Sequence, residues 1–244
     1  MKKLVTTLFL LTAFASAASA QCVSLTTMGG AASEDFNTLA STGTSSTTPA
    51  GWYFLETGTN ANTLYTAGTG SSNAGDTYSF GAAGSGERAF GTLLSGNLVS
   101  TVGACFTNNT GSTINNLTIT YTGEQWRQGG TNRQDRLDFQ YSLDATGLAT
   151  GTWTDDDNLD FLAPNTGAVT GAYDGNAAAN RVLLTDTITG LSIAPGGTAW
   201  IRWTDFNAAG ADDGLGVDDF SITPNPGATP SMKSTWGTIK TLYR

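Results

Sequence analysis

The chain has 244 residues, with 20 acidic against 11 basic side chains, a formal net charge of −9 and no histidine. The missing histidine excludes serine-histidine and cysteine-histidine nucleophiles and the usual zinc ligand sets. An acidic surface repels phosphate, which argues against nucleic acid and anionic membranes as partners and leaves neutral ligands and divalent cations.

The first 20 residues have the form of a secretory signal. Two lysines precede an apolar run over residues 4–14, and the small residues Ala-Ser-Ala stand at 18–20. The run is shorter than the roughly 20 residues that a membrane span needs, and no later run approaches that length. We therefore expect an exported protein, extracellular or at the cell surface, with no membrane span and a mature chain that starts at Gln21.

Cys22 and Cys105 are the only cysteines. In an oxidising compartment two thiols usually form a disulfide, which would close a loop of about 80 residues and contribute roughly 4 kcal/mol. The alternative is a buried free Cys105 on a strand, with Cys22 frayed at the new terminus.

Short runs rich in Thr, Tyr, Phe, Val and Ile alternate with clusters of Gly, Ser, Thr and Asn, which is typical of strands joined by turns. Apolar and polar residues alternate most clearly over residues 117–121 and 136–143. Taken together with these two, the predicted strands in chain order cover residues 34–39, 52–55, 63–66, 77–80, 89–94, 99–106, 117–121, 136–143, 182–188, 198–206 and 217–223. Without a sustained helical period, this pattern predicts an all-β fold, a two-sheet antiparallel jelly-roll β-sandwich over residues 21–224.

The sequence after the last strand changes character. TPNPGATPS is spaced by prolines and predicts an extended linker over residues 225–232. Residues 233–244 form a short basic tail with aromatic and aliphatic side chains at roughly helical spacing. This tail is a candidate sorting or attachment segment; a tail that folds back to cap the sandwich is the alternative.

The last predicted strand carries an acid among apolar residues. Phe220 and Ile222 face inward, and strict alternation places Asp218 on the same face. An ionised acid that is buried without a partner costs several kcal/mol, so Asp218 needs a cation, backbone amides or an arginine such as Arg88 or Arg202.

A calcium ion is one candidate partner for Asp218. Glu34 shares a face with Phe36 at the other end of the domain and could meet Asp218 if the first and last strands pair. Asp212 or Asp213 could add oxygen ligands, as calcium prefers. If an arginine pairs with Asp218 instead, Asp212 and Asp213 are solvent-exposed acids of a loop.

Flat aromatic faces and planar donors are the combination that holds sugar rings or peptide side chains. The candidate ligand-binding residues are Trp126, Arg127, Trp153, Trp200 and Arg202. Each tryptophan could equally be a packing residue of the sandwich. Two carboxylates can cleave glycosides without histidine, but no acid pair is singled out by its neighbours, so we expect a protein that is not an enzyme.

Three segments carry a family resemblance: EDFNTLASTGTSSTTPAGWYF, RQDRLDFQYSLD and WTDFNAAGADDGLGVDDFSITP. Over roughly residues 34–224 the chain resembles secreted bacterial jelly-roll surface modules with variable C-terminal anchors. The closing GVDDFSI is also similar to the last strand of MAM-type and carbohydrate-binding jelly rolls. That resemblance implies a calcium ion near the chain ends, which supports Asp218 and Glu34, and it implies no common ligand.

The sequence thus favours a non-catalytic binding or adhesion module that contacts a glycan or matrix component through an aromatic-bearing face and is stiffened by calcium. The alternative is a structural protein of the envelope or extracellular matrix that self-associates without a separate ligand. Fold alone does not decide between them.

Overall fold

The structure is a computed structural model, and it describes residues 21–227. The predicted signal over residues 1–20, the end of the predicted linker and the tail over residues 233–244 lie outside the described residues. No helix in the described part of the chain has the length and apolar character that a membrane crossing requires.

The described chain consists of sixteen strands and one short 3₁₀ turn, Asp157–Leu159. In chain order the strands are β1 (Val23–Leu25), β2 (Ala32–Glu34), β3 (Thr44–Ser45), β4 (Trp52–Thr57), β5 (Tyr65–Gly68), β6 (Asp76–Phe80), β7 (Ala89–Leu93), β8 (Val99–Asn108), β9 (Asn116–Gln128), β10 (Arg136–Ser142), β11 (Thr154–Asp155), β12 (Phe161–Leu162), β13 (Gly171–Ala172), β14 (Arg181–Ile188), β15 (Thr198–Asp205) and β16 (Gly214–Asn225).

The strands form two sheets that pack face to face. The first sheet has the order β1-β8-β15-β10-β11, with β4 also paired to β8 and β12 to β10. The second has the order β13-β9-β16-β7-β6-β5-β3, with β14 also on β9 and β2 on β16. The long strands β8, β9, β10, β14, β15 and β16 alternate between the sheets, which is jelly-roll connectivity. The predicted all-β sandwich is confirmed, although both sheets are mixed because the pairs β1–β8 and β5–β6 are parallel.

One apolar core lies between the sheets and is dominated by aromatic rings. Trp52 from β4 stacks on Trp203 from β15 with ring centroids 6.2 Å apart, and Phe220 from β16 meets Trp52 edge-on at 5.0 Å. Leu117 and Tyr121 of β9 enter the same core, as their alternation predicts. Because the two sheets pack on each other through this core, the opposite face of each sheet is the one that solvent and loops contact.

Two smaller apolar clusters lie on the outer faces. On the second sheet the cluster consists of Tyr78, Phe80, Ala89, Leu93 and Trp126. On the first sheet it consists of Cys105, Ala145, Leu148 and Trp200. Because loops cover both clusters, residues predicted to face solvent are buried there.

Several predicted strand boundaries differ from the structure, and two of the differences involve special backbone positions. The strand predicted over residues 34–39 ends at Glu34, because Phe36 adopts a left-handed φ of 54° and accepts a hydrogen bond from the Leu39 amide at 2.9 Å. The last strand runs to Asn225 rather than ending before the linker. Pro224 is accommodated opposite Leu117 of β9, where its carbonyl accepts the Gly29 amide at 2.7 Å.

A disulfide joins Cys22 to Cys105, with the Cα atoms 4.6 Å apart. It ties the start of the described chain to the middle of the first sheet, because Cys105 lies within β8. The Cys105 amide also donates to the Gly51 carbonyl at 2.9 Å, so the bridge and β4 meet at one point.

Candidate functional site

Trp126 does not face solvent. Its side chain belongs to the outer cluster of the second sheet, stacks on Phe80 with centroids 6.0 Å apart and is 1% exposed. A Cβ placed on Gly175 would overlap its ring, so the chain at Gly175 lies directly on the indole. The prediction that Trp126 contacts a ligand is therefore wrong, because a loop covers the face to which its strand directs it.

Arg127 and Trp200 also have structural contacts. The Arg127 Nη1 donates to the carbonyls of Gly70 and Ser71, at 3.1 and 3.3 Å, and holds their loop against β9. Trp200 is 3% exposed and packs beside Leu148 in the outer cluster of the first sheet. The predicted role of Trp200 as a ligand contact stays a prediction, because Trp200 also lines the cleft described below.

Arg202 is half-buried and holds a loop in place. Its guanidinium lies 4.0 Å from the centre of the Trp153 ring, its Nε donates to Gln140 at 2.7 Å, and its Nη1 donates to the Leu148 carbonyl at 2.7 Å. Burial lowers the pKa of this guanidinium. Arg202 and Trp153 therefore fix the loop that covers Trp200, and the edge of that loop borders an open cleft.

The cleft lies on the outer side of β4, which is an edge strand. One part, of about 290 Å³, is lined by Tyr53, Leu55, Leu148 and Trp200 together with residues 146, 147, 149 and 150. A second part, of about 400 Å³, shares Tyr53 and Leu55. We call these two adjoining parts, which share lining residues, the β4 groove; it combines an apolar floor with an open side.

Aromatic and polar groups meet in the β4 groove. Tyr53 is half-exposed, its ring leans on Trp200 with centroids 5.4 Å apart, and its hydroxyl donates to the Gln21 carbonyl at 2.7 Å. Asn62 and Thr63 line its second part. A rigid ring held on one face by packing and by a hydrogen bond is a suitable platform for a sugar ring. The alternation Trp52-Tyr53-Phe54 in a predicted strand was the signal that Tyr53 points outward.

The predicted calcium ligands Glu34 and Asp218 lie on opposite faces of the second sheet. Glu34 pairs with Phe220, whose side chain is in the core, and its Oε1 accepts the Phe36 amide at 3.0 Å. Between Asp218 and Phe220 the strand bulges at Asp219, which has a φ of 47°. The bulge reverses the alternation, so Asp218 points away from the core. The predicted meeting of the two acids is wrong for this reason.

Asp212 and Asp213 do not join Asp218 either. Asp213 precedes it by five residues of mostly extended chain, about 16 Å. Asp213 accepts the Gly129 amide and the Gln125 amide group, both at 2.8 Å, whereas Asp212 accepts the Ala208 amide at 2.9 Å. The four predicted metal ligands therefore do not form one site.

A buried acid network surrounds these two residues. Arg133 bridges Asp135 at 2.9 Å and Asp213 at 3.3 Å. Asp205 is buried, accepts the Thr92 hydroxyl at 2.8 Å, and has a second oxygen without a hydrogen-bond partner among the described residues. Desolvation by burial, with the nearby charges of Asp135 and Asp212, raises the pKa of Asp205 well above its usual value.

Asp218 instead meets two acids that the sequence did not single out. One carboxylate oxygen from each of Glu87, Glu124 and Asp218 lies within 4.8 Å of the others. Neither Arg88 nor Arg202 neutralises this group: Arg88 donates to Ser79, at 2.8 Å from its Nε, and Arg202 binds Gln140. Burial raises the pKa of Glu124 to about 7 and also raises that of Asp218. We call Glu87, Glu124 and Asp218 the acid triad.

No protein-family model and no curated protein sequence matches this chain. Among solved structures, the K3 cleaved adhesin domain of Lys-gingipain from Porphyromonas gingivalis W83 is similar with a TM-score of 0.43 and 13% identity, over 72% of this chain and 92% of that one. The CBM22-1 xylan-binding domain of Xyn10C from Paenibacillus barcinonensis has a TM-score of 0.42 and 12% identity, over 84% and 100%. TmCBM61 in complex with β-1,4-galactotriose has a TM-score of 0.34 and 10% identity, over 70% of this chain and 88% of that one. At these TM-scores the similarity identifies neither a ligand nor a site in this chain.

Proposed function

We propose that this protein is an exported, non-catalytic binding module that holds a neutral glycan in the β4 groove. The observation that carries the proposal is the groove itself, where the fixed, half-exposed ring of Tyr53 lies between the Trp200 cluster and the polar residues Asn62 and Thr63. Mostly apolar walls with a few polar groups are typical of small-molecule sites.

The charge and the disulfide support the same proposal. The formal net charge of −9 favours neutral over anionic ligands. A disulfide is typical of proteins that work in an oxidising compartment, which agrees with the signal-like first 20 residues. Of the predicted binding residues, Trp126 is left out of this proposal, Trp200 lines the groove beside Tyr53, and Arg202 keeps a supporting role.

The test is binding of residues 21–244 to a panel of neutral polysaccharides, followed by titration calorimetry with the best ligand. Removing the platform in Tyr53→Ala should weaken binding at least tenfold, since stacking on an aromatic ring supplies a large part of such a contact. Phe206→Ala is the matched control, because Phe206 is an exposed ring that lies over Arg136 and outside the groove.

Two outcomes would contradict the proposal. One is equal loss of binding in the Tyr53 and Phe206 variants, which would place the ligand elsewhere. The other is the absence of binding to every neutral polysaccharide by protein shown to be folded.

A second function, self-association through a sheet edge, has one observation in its favour. Within residues 21–227, β14 pairs only with β9, and it exposes Val182 and Leu183, the latter at 69%. An unpaired edge with apolar side chains can add another strand. Light scattering over a concentration series should then show assembly that Leu183→Lys abolishes and Leu143→Lys, at the exposed end of another strand, leaves intact.

A further inference from the structure

The acid triad arises from the order of strands in the second sheet. β16 lies between β9 and β7, so Glu124 on β9 and Glu87, just before β7, approach Asp218 from its two sides. Gly216 stands opposite Glu124, and its lack of a side chain lets the strand lie close to Ala89, because a Cβ there would come within 3.2 Å of the Ala89 Cβ. The bulge at Asp219 completes the arrangement by turning Asp218 to this face.

Each member of the triad has an oxygen without a partner. Glu124 is fully buried; its Oε2 accepts the Trp126 Nε1 at 2.9 Å, whereas its Oε1 has no hydrogen-bond partner among the described residues. The Oδ1 of Asp218, a residue that is 5% exposed, also has no hydrogen-bond partner among the described residues. The Oε1 of Glu87 likewise has none there, whereas its Oε2 accepts a hydrogen bond from the Asn176 amide group.

Among residues 21–227 no basic side chain forms a salt bridge with the triad. The salt bridges of the described residues involve Arg133 and Arg136 with other acids, and none reaches the triad. Arg181 pairs with Glu124 in the sheet register, but it is exposed. Three ionised carboxylates with mostly dry oxygens would repel one another strongly. Without a metal, protonation relieves this repulsion, in line with the raised pKa values of Glu124 and Asp218, whereas a cation between the three groups would relieve it with the carboxylates ionised.

We propose that Glu87, Glu124 and Asp218 bind one divalent cation, and that this ion is calcium. Ligand oxygens lie 2.3–2.6 Å from calcium, so opposite ligands are up to about 5 Å apart, which fits the 4.8 Å limit within the triad. Magnesium demands near-ideal octahedral geometry and usually keeps several waters, which suits a buried group of three carboxylates less well than calcium does. The site differs from the predicted set, since it keeps Asp218 and replaces Glu34, Asp212 and Asp213.

The ion would clamp the segment before β7 onto the two central strands of the second sheet. It therefore stabilises the scaffold and lies apart from the β4 groove, which belongs to the first sheet. The proposal does not rest on glycan binding, and its tests use the metal alone.

The first test is calcium titration of chelator-treated residues 21–244 by calorimetry and by thermal unfolding. We expect one ion per chain and a rise of several degrees in Tm, because an ion that binds only the folded state stabilises it. Glu124→Gln and Asp218→Asn should each weaken binding at least tenfold and abolish the rise. Asp155→Asn should behave as wild type, since Asp155 is exposed and lies on β11 of the first sheet, apart from the triad.

A variant outside the strands distinguishes loss of the ion from loss of the fold. Glu87→Gln changes a half-buried side chain outside the strands and should also weaken calcium binding at least tenfold. Terbium gives an independent signal: the Trp126 indole bonds to Glu124, so terbium in the triad should emit when tryptophan is excited, and calcium should suppress this emission. The proposal is overturned if no ion binds, or if calcium raises the Tm of the Glu124 and Glu87 variants as much as that of the wild type.

Discussion

Removal of the Cys22–Cys105 disulfide should cost this domain a large fraction of its stability. The two cysteines are separated by 83 residues, and the chain-entropy relation then gives roughly 4.5 kcal/mol of stabilisation through the unfolded state. Domains are typically stable by about 5–15 kcal/mol, so the double variant Cys22→Ala, Cys105→Ala should be folded only marginally.

Urea unfolding measures this loss. With an m value of about 3 kcal/mol/M, a loss of 4.5 kcal/mol lowers the urea midpoint by about 1.5 M. The reduced wild-type protein is the control, because it lacks the bridge but keeps the Cys105 sulfur packed beside Trp200 and Leu148. A loss below about 1 kcal/mol in both proteins would refute the argument, since it would mean that the bridge does not restrict the unfolded chain.

Two further predictions concern buried positions. Burial raises the pKa of Asp205, so the folded state retains a proton that the unfolded carboxyl releases above about pH 4, and the free energy of unfolding falls as the pH rises. Asp205→Asn should therefore raise the Tm at pH 7 and change it little at pH 4. A Tm that is lowered equally at both pH values would contradict this prediction. Gly123→Ala would place a Cβ in the space of the Phe161 ring and should lower the free energy of unfolding by about 1–3 kcal/mol. A Cβ at Gly96 meets nothing within 4 Å, so Gly96→Ala should be nearly neutral. Equal urea midpoints for the two variants would contradict the packing of Gly123 against Phe161.

The sandwich could be predicted because strand alternation depends only on local sequence. Residues 117–121 and 136–143 show a period of two without interruption; the first range lies within β9, and the second matches β10 except for its last residue, Leu143. The same rule failed at Asp218, because one residue with a left-handed φ shifts the period and no sequence signal at Asp219 reveals it.

The sites were harder to predict because they depend on long-range packing. Trp126 and Trp200 do point away from the main core, but loops fold over them, and alternation does not show where a loop lies. Glu87 and Glu124 become neighbours of Asp218 only through the strand order β9-β16-β7, which requires the full topology.

The measurement that tests the binding proposal most directly is amide hydrogen exchange of residues 21–244, with and without a saturating neutral oligosaccharide taken from the polysaccharide screen. We expect the ligand to slow exchange in residues 53–56, at Asn62 and Thr63, and in the loop over residues 146–150, which line the β4 groove. Slower exchange confined to β14 or to the outer face of the second sheet, with the groove unchanged, would contradict it.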